Sequence, residues 1–172
     1  MIQIRIHGIK DGSQEIDLKA PASEIDGIFE EFFGDIEIKG VLRKIGKRYS
    51  IDATASCMAR LVCDISLESY EEKIEAPIKL AYLADTNLYT MRMESPEAEA
   101  EAHVIHEDDQ YIDISDEVRE QLAVRLPMKR ISPKLRDKEF RELYPDIAAE
   151  NEKAAEEMAD ERWKKLKNVK LN

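Results

Sequence analysis

Seven residues between His103 and Asp116 have the side chains a divalent metal site requires. His103 and His106 supply imidazole nitrogens, and Glu107, Asp108, Asp109, Asp113 and Asp116 supply carboxylate oxygens. Such a mixture suits a hydrolytic centre in which the ion activates water against a phosphodiester. Spacing argues against it. Glu107, Asp108 and Asp109 follow one another directly, and nothing in the sequence forces consecutive side chains onto one ion, so a solvated acidic loop is expected. The chain also has no nucleophile elbow, phosphate-binding loop, dinucleotide fingerprint or H-E-x-x-H pattern. No catalytic residue, metal ligand or cofactor is assigned, and a metal-dependent RNA-processing enzyme built on the His103–Asp116 cluster stands as the alternative reading.

Two other groups invite a chemical reading. Cys57 and Cys63 have the same parity and so share one face of an extended strand, but at roughly 3.3 Å per residue they stand about 20 Å apart, too far for a disulfide. Buried, reduced thiols are expected. Near the end of the chain, Arg162, Lys164, Lys165 and Lys167 surround Trp163, a combination able to hold RNA through phosphates and a stacked base. The same cations would equally complement the dipole at the end of a helix. The net charge of −11 opposes non-specific nucleic-acid binding by the protein as a whole, and DNA is not an expected partner. Acid is concentrated between Glu94 and Glu120, where eleven carboxylates face Arg119 alone.

The elements that must position these groups follow from periodicity. Ile2, Ile4 and Ile6 mark one strand, Ile16 and Leu18 a second, with Gly8 and Asp11-Gly12 as the turn between them. Ser23 and Asp26 form a capping pattern before Ile25, Ile28, Phe29 and Phe32, predicting a covering helix that stops at Gly34. Asp35 to Ile45 reads as a strand with a bulge at Gly40, and Gly46-Lys47 as a hairpin turn. From Tyr49 to Cys63 every odd position is apolar or alanine, the pattern of a long, half-buried strand. Ile74 to Tyr82 alternates again, with Pro77 predicting a sheet edge or a bulge, and Tyr89, Met91 and Met93 suggest a shorter strand. Tyr111, Ile112 and Ile114 then lead through Ser115, a predicted N-cap, into a helix with Val118, Leu122 and Leu126 on one face, which Pro127 ends. A basic linker runs from Lys129 to Arg141, before an Ala/Glu/Lys-rich helix from about Asp146 to Lys167 that a partner would order.

The expected class is therefore α+β: a bent antiparallel sheet, a meander able to close in part, with covering helices and a C-terminal helical arm. The expected division is a core domain at 1–128, followed by the linker and arm at 129–172. At 172 residues and 43% hydrophobic content, one core is affordable; 37% charged residues disfavour a second. No apolar run is long enough to span a bilayer, and the opening MIQIRIHGIK alternates polar with apolar instead of forming a signal segment, so a cytoplasmic location and no membrane partner are expected.

The stretch YIDISDEVREQLAVRLPMKR at 111–130 resembles the signature of the YceD family, the large ribosomal RNA subunit accumulation proteins of bacteria and plastids, in which an "ID-x-S/T-x-x-V/I-x-E" helix runs into "L-P-x-K". Ile112, Asp113, Glu120, Leu126 and Pro127 occupy those motif positions. CDISLESY at 63–70 resembles the family's "C-x-R-C-L-E-x-aromatic", carried here by Cys63, Leu67, Glu68 and Tyr70, and DERWKKLKNVK at 160–170 resembles its terminal "D-P-R-W/F-x-x-L-K-x-L". Ile65 replaces the motif arginine and Ser66 its second cysteine, and no cysteine or histidine follows Met128, which excludes tetrahedral metal binding there.

The resemblance implies a non-enzymatic factor supporting accumulation of large-subunit (23S) ribosomal RNA during ribosome synthesis or assembly. Its partners would be that RNA or large-subunit assembly intermediates, met directly or through a basic protein. A protein-binding adaptor without RNA contact is a further alternative. Cys63 and Leu67 read as continuing the inward strand face, whereas Glu68 fits either a turn or a partner surface.

Overall fold

The computed structural model describes residues 1–94 and 103–138, together with Glu142, Tyr144 and Ile147. Apart from Ile147, the expected C-terminal helix lies outside the described residues, and so do Arg162, Trp163, Lys164, Lys165 and Lys167. The chain divides after Arg130 into two units, Met1–Arg130 and Ile131–Asn172. In the second unit, Leu135 N–H donates to the Ser132 carbonyl at 2.9 Å and Lys138 N–H to that of Leu135 at 3.2 Å, forming successive turns. Among the described residues no helix is long and apolar enough to cross a membrane.

The first unit is built on alternation. Strands β2 (Gly12–Pro21), β3 (Phe32–Ile45), β4 (Arg48–Val62) and β5 (Ser69–Ala84) form an antiparallel meander, to which β6 (His103–Ile105) adds in parallel beside Tyr82–Ala84. A separate ribbon pairs β1 (Gln3–Arg5) with β7 (Tyr111–Asp113). The fold is α+β as expected, and the sheet stays open, since β2 and β6 do not pair. Odd residues of β4 are buried and meet Ile36, Ile38 and Leu42 of β3 and Ile74, Ala76 and Ile78 of β5 on one face. Ile2, Ile4, Ile112 and Ile114, with Val118 and Leu122 of helix α2 (Ser115–Arg125), close the same cluster from the other side. Pro77 lies where β5 has β4 on one flank and, among the described residues, no strand on the other, the edge position that a proline in a strand predicts.

Three expected elements differ. The helix predicted from Ser23 to Gly34 is only a 3₁₀ turn, Ala22–Glu24, followed by tight turns into β3. Gly27, at φ +69°, stands in the left-handed region, which breaks a helix before the apolar face can form. The strand expected at Tyr89–Met93 is helix α1 (Thr86–Glu94). Asp85 caps it, its Oδ1 accepting from the N–H groups of Asn87 and Leu88 at 3.0 and 3.1 Å, and a local cap outweighs an alternation whose methionines remain exposed. The bulge expected at Gly40 is absent: Gly40 stays in register with Ala53, and the irregularity falls between Phe33 and Glu37.

Cys57 and Cys63 are both buried and form no disulfide, as the strand parity predicts. Burial pushes the Cys57 thiol above its usual range, while its S–H donates to the Phe33 carbonyl at 3.5 Å. Both thiols are expected to resist alkylating reagents in the native protein and to react quickly after denaturation. Rapid native labelling of both would contradict the placement of β4. Cys63→Ser should cost about 1–3 kcal/mol by burying a hydroxyl in place of a small hydrophobe.

Candidate functional site

In the signature segment, β7 delivers Ile112 to the core opposite Ile4, and Asp113 to the start of α2. Ser115 does not act as the expected N-cap. The helix begins at Ser115 itself, behind Ile114, without a side-chain cap. The Ser115 hydroxyl accepts the Ile2 N–H at 2.7 Å and donates to Asp113 Oδ1 at 2.6 Å; Asp113 also accepts the Ser115 N–H at 2.9 Å. This motif therefore joins the edge ribbon to the helix. A hydroxyl satisfying a backbone N–H 113 residues away could not be inferred from helix-start preferences alone.

CDISLESY turns β4 into β5. Cys63 N–H donates to the Glu68 carbonyl and Leu67 N–H to that of Cys63, both at 2.9 Å, closing a loop in which Ser66 Oγ accepts the Glu68 N–H at 3.4 Å. Leu67 does not continue the inward face. It has φ +57° and is 77% exposed, because the loop closure, and not the strand parity, sets its direction. Glu68 is exposed, and Tyr70 is half-buried opposite Leu61. In the signature helix Glu120 is exposed, with a carboxylate oxygen 3.8 Å from Arg119, and Leu126 and Pro127 are half-buried where the helix ends.

The two motif loops meet. Asp64 N–H donates to the Arg130 carbonyl and Arg130 N–H to Asp64 Oδ2, each at 2.7 Å, across 66 residues of sequence. The Arg130 guanidinium also pairs with Glu31 at 3.0 Å. Beside this clasp lies an open recess of about 590 Å³, lined by Phe29, Phe33, Val62, Ser69 and the Arg60 and Arg130 side chains among others. The sequence reading missed Asp64 and Arg130, since no local pattern encodes so distant a pairing.

The candidate metal ligands are drawn to different partners. Glu107 pairs with Lys47 at 2.8 Å, a bond that holds its carboxyl below the usual range. Asp116 pairs with Arg119 at 2.9 Å, and Asp113 serves Ser115. The His103 ring lies 5.1 Å from that of Tyr82, with Nε2 3.9 Å from Glu117. Burial first, and Glu117 beside it, keep the Tyr82 phenol protonated far above its usual range. His106 and Asp109 close their own turn, the His106 N–H donating to Asp109 Oδ2 at 2.9 Å, and Asp108 N–H donates to His106 Nδ1 at 3.2 Å. Among the described residues no group of three or more His, Cys, Asp or Glu is placed to hold a metal ion.

Comparison with known proteins agrees with the motifs. No curated protein and no solved structure matches the chain. A family model described as "Large ribosomal RNA subunit accumulation protein YceD" matches residues 51–170, from β4 through CDISLESY and the signature helix to the basic end. With well over half of its length matched, and with all three motif segments inside the match, the chain belongs to the YceD family.

Proposed function

We propose that this chain is a non-enzymatic factor that supports accumulation of large-subunit (23S) ribosomal RNA during synthesis or assembly of the large subunit, in the cytoplasm. The match to the accumulation-protein family over residues 51–170 carries this reading. A binding role is supported by the separate partners that His103, His106, Glu107, Asp113 and Asp116 have found. Cys63, Ile112 and Leu126 serve the core and the helix end, and Asp113 orders the helix start. Among the motif positions, Leu67, Glu68 and Glu120 are exposed and so open to a partner. Depleting the protein should lower the ratio of 23S to 16S RNA and the yield of large subunits on sedimentation, and re-expression should restore both. Unchanged ratios on depletion would overturn the proposal.

The basic end, Arg162, Trp163, Lys164, Lys165 and Lys167, contacts RNA on this reading. Each phosphate contact on a single strand contributes about 0.7 to the slope of log affinity against log salt, so Lys164→Ala with Lys165→Ala should flatten that slope by up to about 1.4. Trp163→Ala should weaken binding by roughly 1–3 kcal/mol with little change of slope if the indole stacks on a base. If Trp163 packs against protein instead, its loss should lower the melting temperature and leave RNA affinity alone. No detectable binding to large-subunit RNA fragments at low salt would favour the adaptor reading.

The core domain should fold without the tail. The Asp64–Arg130 clasp recommends cutting after Arg130, two residues beyond the boundary read from the sequence, and the shortened chain should unfold cooperatively in urea. A non-cooperative profile would show that the tail belongs to the core.

A further inference from the structure

The β3–β4 hairpin concentrates charge of the sign this protein otherwise lacks. Between Lys39 and Ser50 the chain has five bases, Lys39, Arg43, Lys44, Lys47 and Arg48, and no acid, within a molecule of net charge −11. The register explains how they are displayed. Arg43 pairs with Ser50 and Ile45 with Arg48, and burial alternates so that Arg43, Ile45 and Arg48 all stand on the solvent face of the sheet. Arg43 and Arg48 are therefore diagonal neighbours, with roots roughly 7–8 Å apart, close enough for both guanidinium groups to reach one phosphodiester.

A second loop joins them. Asp11 accepts the Gly46 N–H at 3.2 Å, and Lys44 Nζ donates to the Ile9 carbonyl at 2.8 Å, which brings the exposed Lys10 to the hairpin. Lys47 is committed to Glu107, whereas Lys10, Arg43 and Arg48 make no ion pair among the described residues. Glu15 and Asp52 are the nearest acids on the solvent face in the strand register, both aligned with Val41, two residues along from Arg43. The exposed apolar side chain at the tip is Ile45, and the one aromatic ring between Lys39 and Ser50, Tyr49, is buried. The surface thus offers cations for a backbone and no platform for a base.

We propose that Lys10, Arg43 and Arg48 form a sequence-independent contact surface for the phosphate backbone of RNA, in addition to the basic segment at 162–167. This rests on the reading that the protein acts on large-subunit RNA, and it assigns part of the contact to the folded sheet. Electrostatic steering by such a patch brings a polyanion to the hairpin end of an otherwise acidic molecule.

The test uses the full chain with Lys10→Gln, Arg43→Gln and Arg48→Gln together, and an oligouridylate about 20 nucleotides long, enough to exceed a typical single-strand site. Relative to the unaltered protein, the slope of log affinity against log salt should flatten by about 2, from three contacts of about 0.7 each. The melting temperature should not move. Arg43→Lys with Arg48→Lys should retain the slope, and removing three cations away from the hairpin with Lys19→Gln, Lys73→Gln and Arg125→Gln should leave it unchanged. Equal flattening by both triple variants would reduce the effect to net charge and overturn the proposal. It would also be overturned by no binding of the oligouridylate, or by binding to phosphatidylglycerol vesicles in its place. Complementation of the depleted cell separates the two readings. If depletion has no effect on 23S RNA, the functional reading falls whatever the slope shows; if depletion lowers 23S RNA and the hairpin variant restores it fully with an unchanged slope, the hairpin surface falls alone.

Discussion

Gly40→Ala should destabilise the domain by about 3 kcal/mol or more, at or above the upper end of what overpacking a core costs. A Cβ at this position would overlap the Ala53 Cα and Cβ and the Asp52 carbonyl oxygen, which belong to the neighbouring strand. Backbone cannot move aside as a flexible side chain does. Gly40 is paired with Ala53 in the middle of β3, so any displacement would spread to Ile38 and Leu42, both buried in the core. The check is the urea midpoint at constant slope, compared with Val41→Ala, a half-buried neighbour whose truncation should have a much smaller effect. A Gly40→Ala midpoint equal to that of the parent would show that β3 and β4 do not approach this closely.

Leu122→Ala is expected to cost about 2–5 kcal/mol, a large share of the roughly 5–15 kcal/mol that holds a domain together. Leu122 is 0% exposed on α2, which packs across β5 and β4, and removing its branched end leaves a cavity against a sheet that cannot collapse into it. Two residues further on, Val124 is 79% exposed, and Val124→Ala should change stability by less than about 0.5 kcal/mol. Thermal melts of the pair decide the matter. Similar losses at both positions would mean that α2 does not lie on the sheet with this face inward, and the structural role given to the family's signature helix would fail with it.

Much of the architecture is legible in the chain itself. The alternation from Tyr49 to Cys63 marks β4 because half-burial imposes a period of two, and it places both thiols inward. Gly46 marks the hairpin turn by its left-handed backbone, and Val118 and Leu122 mark the buried face of α2. Two differences from the periodic pattern are also local in origin. Gly27 interrupts the expected helix before Phe32, and Asp85 caps the helix that replaces an expected strand; in both places a single residue sets the backbone against the apolar spacing.

Other features depended on the folded chain. Leu67 turns outward because Cys63 and Glu68 close a loop, Gly40 is required because β4 comes close, and Ser115 bonds Ile2 and not its own helix. The Asp64–Arg130 clasp and the grouping of Lys10 with Arg43 and Arg48 arise from loops that meet at the ends of the sheet. Periodicity records which side of a segment meets apolar neighbours, a property each segment carries alone. Which polar groups meet depends on how distant segments close upon one another, so the sequence determined the strands, the buried faces and the family, while only the tertiary structure decided which motif residues bond to each other and which face outward.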